Sequence, residues 1–201
     1  KVLYIGISDA PAWVVSQANT LATLRGWAPF VALQVEYSLV ERTPERELLP
    51  MARAFDLAIT PWSPLGGGVL TGKYNQQAAS GETEQARLQT MWQGRVNERS
   101  LKVAAAVLKV AEEIGRSPSQ VALAWLRAQP GVMIPIIGAR KLNQLEDNLA
   151  CINVQLANEH LAQLDQASKI DLGFPNDFLF DADILERLHG GTFSKIDNHR
   201  R

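Results

Sequence analysis

The most informative segment of the chain is Thr60-Pro61-Trp62-Ser63-Pro64-Leu65-Gly66-Gly67-Gly68-Val69-Leu70-Thr71-Gly72-Lys73-Tyr74. A short apolar run leads into Trp62, and three consecutive glycines and a Gly-Lys pair follow. Glycine lets backbone N–H groups approach an anion without a Cβ in the way, and lysine adds a positive charge suited to phosphate. Since loops that follow strands often form ligand sites, we predict that this segment holds the diphosphate and nicotinamide of a dinucleotide.

Two other interpretations of the glycine segment need to be weighed. Most of a nucleoside triphosphate P-loop motif is present, because Gly67 is followed after four residues by Gly72 and Lys73. The next residue, however, is Tyr74. That motif requires Ser or Thr there to bind Mg²⁺, so an ATP or GTP site is disfavoured. A glycine-rich turn without any ligand remains open, because short motifs often match by chance.

Composition limits the possible partners. The chain has 201 residues, enough for one domain, with 46% hydrophobic and 20% charged residues and a net charge of −1. This balance argues against a bulk nucleic-acid or membrane-surface partner. The single cysteine, Cys151, excludes an internal disulfide and agrees with a reducing, cytoplasmic location. The histidines and this cysteine have no metal-ligand spacing. The chain begins inside a predicted strand without a methionine, so we expect it to be part of a longer polypeptide.

Four buried strands are predicted at residues 2–7, 30–37, 57–62 and 132–137. Predicted helices alternate with them, at residues 11–25, around 48–55, at 98–115, from Ser117, at 142–149 and from Asn158. Such alternation is typical of a parallel sheet covered by helices. The polar residues 75–97, which include Trp92, are predicted to be a flap loop. Residues 173–201 are predicted to be a C-terminal tail, with disorder from about residue 194.

Polar residues follow each predicted strand. They are Ser8 and Asp9, then Gln34 and Tyr37, then Trp62 and Ser63 with the glycine loop, and last Gly138, Ala139 and Arg140. Parallel strands bring these ends to one edge of the sheet, where α/β proteins bind ligands. Each group alone has a simpler explanation, such as a helix cap, a core aromatic residue or a solvated charge. Only their joint order favours a cofactor site.

The sequence resembles the aldo-keto reductase family over about residues 1–170. The matching segments are Gly6-Ile7-Ser8-Asp9, Gln34-Val35-Glu36-Tyr37-Ser38-Leu39, Trp62 to Gly68 with Gly72-Lys73-Tyr74, and Ile134 to Arg140 with Gln144 and Asp147-Asn148. The resemblance implies an eight-stranded (β/α)8 TIM barrel that binds NADPH (NADP+). This chain would be its C-terminal half, with four parallel strands and flanking helices.

The resemblance also implies a role for each matching position. Ser8, Asp9 and Gln34 would hydrogen-bond the nicotinamide carboxamide, although the family usually has Asn where Asp9 stands. Trp62 would stack on the nicotinamide ring. The remaining cofactor contacts would come from the diphosphate-binding Ser63, Pro64, Leu65, Gly66, Gly68 and Lys73, and from Gly138, Arg140, Gln144, Asp147 and Asn148. Arg140 would pair with the 2′-phosphate and so favour NADPH. Contact with the adenosine end would come from Gln144, Asp147 and Asn148.

No segment matches the family's catalytic Asp, Tyr, Lys and His motifs. The resemblance therefore implies a parent enzyme that reduces a small aldehyde or ketone, whereas we expect this chain alone to be inactive. Four strands would leave two open edges, so we expect self-association or pairing with an N-terminal half. The alternative is a non-catalytic NADP-binding or regulatory module, as in potassium-channel β subunits.

Overall fold

A parallel sheet of three strands in the order β1-β2-β3 forms the base of the fold. The computed structural model describes residues 1–75 and 94–197. The strands are β1 (Ile5–Ser8), β2 (Phe30–Glu36) and β3 (Ala58–Trp62). In the register, Ser8 pairs with Gln34 and Gln34 pairs with Thr60. The carboxyl ends of all three strands therefore lie along one edge.

The predicted fourth strand, residues 132–137, is not a strand in the structure, so the predicted number of four is corrected to three. The segment does lie parallel to β3. The Ile59 amide donates to the Val132 carbonyl at 2.8 Å, and the Ile134 amide donates to the Ile59 carbonyl at 2.9 Å. These two bonds form one isolated parallel bridge, between Ile59 and Met133.

A proline in β3 explains why this pairing stops after one bridge. Farther along, the Ile136 amide donates to the Pro61 carbonyl at 2.8 Å. A second bridge would also need an N–H from Pro61, which proline does not have. The segment is therefore held alongside β3 by single hydrogen bonds. It still brings the residues after 137 to the carboxyl ends of the strands.

The first strand is shorter than predicted. β1 begins at Ile5, whereas Val2, Leu3 and Tyr4 are exposed. The pairing starts with Ile5 opposite Phe30, which is the first residue of β2. Residues 2–4 thus lie ahead of β2, and no strand within residues 1–75 and 94–197 pairs with them.

Helices cover one face of the sheet. They are α1 (Ala12–Arg25), α2 (Leu48–Ala54), α3 (Glu98–Ile114), α4 (Pro118–Arg127), α5 (Leu142–Leu149), α6 (Asn158–Ser168), α7 (Asn176–Leu179) and α8 (Ala182–His189). Short 3₁₀ turns span Thr43–Glu45, Gly66–Thr71, Ala150–Asn153 and Phe193–Lys195. Among these described helices, none is long and apolar enough to cross a bilayer.

The C-terminal tail and the flap are only partly described. The tail contains α7, α8 and a 3₁₀ turn at Phe193–Lys195. Only the turn overlaps the region predicted to be disordered, which starts at about residue 194. Residues 198–201 lie outside the described part. Most of the predicted flap, residues 76–93 with Trp92, also lies outside it.

The core lies between the sheet and the helices. The other face, which carries the exposed Ser8 and Gln34, is left open by the described residues. Leu33 and Ile59 are fully buried against the helices, together with Trp125 of α4. By contrast, Ile134 and Ile136 beside β3 remain 53% and 44% exposed. An apolar sheet edge that is open to solvent is typical of a structure that normally continues into further strands.

A partly buried polar network holds the loop that follows β2. The Tyr37 hydroxyl donates to Glu45 at 2.7 Å, and the Arg42 guanidinium donates to both Glu45 oxygens at 2.7 and 3.0 Å. Asp165 of α6 accepts from Arg42 at 3.1 Å and from the Trp125 indole at 3.0 Å. Burial and the neighbouring Glu45 raise the pKa of Tyr37, which therefore stays protonated as a donor. The network joins the sheet edge to two helices.

Candidate functional site

A cleft of about 700 Å³ opens beside the carboxyl end of β3. It is formed by the glycine segment on one side and by the chain leading into α5 on the other. Its walls collect most of the residues predicted to bind the phosphates and adenosine, namely Ser63, Pro64, Leu65, Gly68, Lys73, Gly138, Arg140, Gln144, Asp147 and Asn148. Residues distant in sequence thus meet because the two loops leave the same sheet edge.

The glycine run has a backbone that other residues rarely adopt. Gly66, Gly67 and Gly68 have φ values of 58°, 66° and 95°, in the left-handed region that favours glycine. Gly66 is also sterically required, because a Cβ added there would lie 2.6 Å from Val40 Cγ2. Gly66 is buried, and it shapes the loop without lining the cleft.

Two of the glycine amides already have acceptors within the loop. The Gly66 amide donates to the Ser63 carbonyl at 2.8 Å, and the Gly68 amide donates to the Leu65 carbonyl at 3.0 Å. Close approach of an anion to these two N–H groups was the sequence-based argument for a phosphate cradle. Because both amides already donate within the loop, the side chains around the loop are the stronger candidates for contact with a phosphate.

Lys73 lies directly over the loop. Its Cε would be 3.2 Å from a Cβ placed on Gly68, so the glycine allows the lysine to pack closely. The Lys73 Nζ also lies 4.5 Å from the centre of the Tyr74 ring, a contact that favours a cation. The ring and the loop thus hold the ammonium group at the wall of the cleft.

Arg140 provides the second positive charge at the start of α5. The Gln144 Oε1 accepts from the Arg140 amide at 3.0 Å and from the Lys141 amide at 3.3 Å. Gln144 therefore caps its own helix and fixes the backbone that carries Arg140. Arg140 itself is exposed. Its NH₂ group keeps donor capacity toward the cleft.

Asp147 and Asn148 are both engaged with the protein. The Asp147 carboxylate accepts from the Ser117 hydroxyl at 2.8 Å and from the Gln120 amide at 2.7 Å, which ties α5 to α4. The buried Asn148 donates to the Gly138 carbonyl at 3.5 Å. Ser117 caps α4 as predicted. Contact of Asp147 and Asn148 with adenosine stays a prediction, whereas their place in the wall of the cleft is observed.

Asp9 and Trp62 form the other end of the candidate site. The Trp62 Nε1–H donates to Asp9 Oδ1 at 3.1 Å, and the Ser8 hydroxyl donates to Asp9 Oδ2 at 3.2 Å. Gln34 is exposed on the neighbouring strand, and its carbonyl accepts from the Asp9 amide at 3.1 Å. The four residues predicted to surround the nicotinamide therefore lie together, next to Ser63 and its cleft.

A charged pair adjoins Trp62. The Arg95 guanidinium contacts the Glu36 carboxylate and lies 5.9 Å from the centre of the Trp62 ring. Burial raises the pKa of Glu36, and the Arg95 contact opposes that rise. The sequence interpretation did not identify Arg95, because it was assigned to a flap and matches no motif.

Ser119 and Thr71 also line the cleft and were not predicted to do so. Ser119 lies in the first turn of α4, and a hydroxyl beside a helix N-terminus is a signal for anion contact. The Thr71 hydroxyl donates to the Gly68 carbonyl at 2.7 Å, which ties the glycine loop to its own end.

The charge of the cleft suits an anionic ligand. Among its described wall residues, Lys73 and Arg140 are basic and Asp147 is acidic, and both Asp147 oxygens already accept hydrogen bonds. Within residues 1–75 and 94–197, no group of three His, Cys, Asp or Glu side chains could hold a metal ion. Two basic side chains thus face the cleft, and its one acidic side chain is already hydrogen-bonded within the protein.

Comparison with known proteins identifies the family of this chain. The model of the aldo/keto reductase family matches residues 1–169. The chain is 37% identical over 184 residues to AAD10 of Saccharomyces cerevisiae, a candidate aryl-alcohol dehydrogenase by name, covering 90% of this chain and 63% of that protein. It is 37% identical over 177 residues to the aryl-alcohol dehydrogenase [NADP(+)] of Phanerodontia chrysosporium, covering 87% of this chain and 46% of that protein.

A third relative is the norsolorinic acid reductase stcV of Emericella nidulans, 36% identical over 182 residues, which cover 90% of this chain and 45% of that protein. The chain thus spans about half to two thirds of the length of these curated relatives. The three-stranded sheet with its covering helices is consistent with part of a barrel. The match over residues 1–169 shows that this chain belongs to the aldo/keto reductase family.

Proposed function

We propose that the chain binds NADP(H) in an extended form along the carboxyl edge of the sheet. The phosphates would lie in the cleft near Lys73, the adenosine near Arg140, and the nicotinamide ring against Trp62. The observation that carries the proposal is the placement of these three side chains along one continuous edge. The name of the Phanerodontia relative, which includes NADP(+), supports the choice of cofactor.

Arg140 is the residue proposed to select NADP(H) over NAD(H). A guanidinium presents several donors in a plane that matches a phosphate, and its exposure leaves it accessible. Hydrogen bonds between charged partners contribute about 1.5–3 kcal/mol, equivalent to about 10- to 150-fold in affinity. Lys73 is proposed to contact the diphosphate that both cofactors share.

Calorimetric titration with NADP+ and NAD+ tests this assignment. Arg140→Ala should weaken NADP+ binding by about 10- to 150-fold and leave NAD+ binding nearly unchanged, whereas Lys73→Ala should weaken both. Lys102→Ala is the control, because this lysine is 73% exposed on α3 and pairs with Glu98 outside the cleft. Unchanged NADP+ affinity in both cleft variants would overturn the proposal.

The whole protein is proposed to be an NADP-dependent reductase of aldehydes or ketones, with a small carbonyl compound as substrate. Hydride transfer to a carbonyl leaves an alkoxide that needs a proton, and loss of general acid catalysis costs about 10²–10⁴ in rate. The 201-residue chain carries no match to the family's Asp, Tyr, Lys and His motifs, so we propose that it is inactive alone. NADPH turnover by the purified chain at about 1 s⁻¹ or faster would contradict this.

A non-catalytic NADP-binding module is the second candidate. The same side chains would bind the cofactor in either case, so binding alone does not distinguish the two. The discriminating observation is whether the whole protein contains the Asp, Tyr, Lys and His motifs. Their absence from the parent protein would favour the module.

We also propose that the open sheet face is covered in the whole protein, by an N-terminal half or by a second copy. The exposed Ile134 and Ile136 support this proposal. Light scattering on the 201-residue chain tests the second-copy version, which requires a mass of twice 22.1 kDa. The cytoplasmic location stays a prediction.

A further inference from the structure

We propose that the Asp9 carboxylate makes this site bind the oxidised, cationic nicotinamide ring more tightly than the reduced, neutral ring. The inference rests on the proposed NADP(H) site and adds to it a preference for one oxidation state. Asp9 would thus have a charge role in addition to its contact with Trp62.

The structure fixes the position of this carboxylate beside the proposed ring platform. Asp9 adopts a left-handed backbone with φ 49°, and its amide donates to the Gln34 carbonyl at 3.1 Å. Its two oxygens accept from the Trp62 indole at 3.1 Å and from the Ser8 hydroxyl at 3.2 Å. Both carboxylate oxygens therefore act as hydrogen-bond acceptors.

The surroundings of Trp62 add negative charge. A cavity of about 440 Å³ beside the indole is lined by Asp9, Glu36 and Glu41, and none of the described residues in its wall is basic. Arg95 contacts Glu36, so that pair contributes little net charge. Glu41 accepts from the Thr43 amide at 3.0 Å. Asp9 is the carboxylate directly bonded to the indole.

The two oxidation states differ mainly in the charge of one ring. The nicotinamide ring carries a positive charge in NADP+ and none in NADPH, while the phosphates and adenosine are the same. The ratio of the two dissociation constants therefore reports the electrostatic environment of the ring. At a separation of roughly 6 Å and an effective dielectric constant of roughly 40–80, one exposed carboxylate changes this ratio by about three- to tenfold.

Calorimetric titration of the 201-residue chain with NADP+ and with NADPH measures this ratio directly. Asp9→Asn removes the charge, keeps an oxygen that can accept from the indole, and suits a left-handed backbone. Asp56→Asn is the matched control, because Asp56 has φ 54° and precedes β3 at the end opposite to Trp62. A second measurement repeats the wild-type ratio at low and high salt, because salt screens an exposed charge.

We expect wild type to bind NADP+ more tightly than NADPH. In Asp9→Asn the ratio of the NADP+ to the NADPH dissociation constant should rise by about three- to tenfold, and in Asp56→Asn it should stay within about twofold of wild type. High salt should reduce the wild-type preference. Equal weakening of both cofactors in Asp9→Asn would overturn the inference, since Asp9 would then only position Trp62. If wild type binds neither cofactor, the proposed function fails and this inference fails with it.

Discussion

Replacing Gly66 by alanine should show whether the glycine run is required by packing rather than by ligand contact. Gly66 has φ 58°, and a new Cβ would lie 2.6 Å from Val40 Cγ2. An alanine in the left-handed region costs about 1–2 kcal/mol, and overpacking adds about 1–3 kcal/mol. We therefore expect Gly66→Ala to lower the free energy of unfolding by about 2–5 kcal/mol.

Gly115→Ala separates the two contributions. Gly115 ends α3 with φ 63°, and among the described residues no atom beyond its neighbours in the chain lies within 4 Å of a Cβ placed there. This variant should incur only the backbone cost, about 1–2 kcal/mol. The difference between the two variants then measures the contact with Val40.

A double-mutant cycle with Val40→Ala tests the contact itself. The smaller side chain removes the clashing methyl group, so Gly66→Ala should be less damaging in that background by about 1–2 kcal/mol. Urea denaturation, followed by circular dichroism with the m value checked for constancy, provides the free energies. The steric argument is refuted if Gly66→Ala is no more destabilising than Gly115→Ala, or if Val40→Ala brings no relief.

Three further predictions concern buried polar groups. Tyr37→Phe removes the 2.7 Å bond to the Glu45 carboxylate and should cost about 1.5–3 kcal/mol in urea denaturation; an unchanged midpoint would contradict it. Asn19→Ala removes two bonds to the Phe30 backbone at 2.9 and 3.0 Å, so chemical denaturation should show a loss of about 2–3 kcal/mol, and a loss below about 0.5 kcal/mol would count against it. Burial raises the pKa of Glu36 above its usual 4.5, so near this pH the native state binds more protons than the unfolded state. The free energy of unfolding should therefore fall as the pH rises from about 4.5 through the raised pKa of Glu36. Glu36→Gln should flatten that slope, and an equal slope in both proteins would show that Glu36 is not its source.

Some of the candidate site could be predicted because its signals are local. The glycines and Lys73 follow the end of β3, and Arg140 follows the segment that lies parallel to β3, so both loops leave at the same end of the sheet. The helices α1, α3 and α5 were predicted within one or two residues, since caps and apolar spacing are encoded in adjacent residues.

Other features depended on contacts between distant residues. Residues 132–137 lie beside Pro61, whose missing N–H ends the ladder. Without that contact, the sequence could not show that these residues do not form a fourth strand. The role of Asp147 as a tie between two helices required its meeting with Ser117 and Gln120. No spacing in the sequence contains this information, because side-chain partners are chosen by the tertiary fold.

Sequence by itself determined the family, the alternation of strands and helices, and the edge on which polar groups gather. These properties follow from periodicity and from motifs that are short in sequence. Only the tertiary structure decided that Gly66 is needed because of Val40, that the Gly66 and Gly68 amides are already bonded, and that Asp9 holds the Trp62 indole. The physical reason is that steric contact and hydrogen bonding act over a few ångströms in space, between residues that can be far apart along the chain.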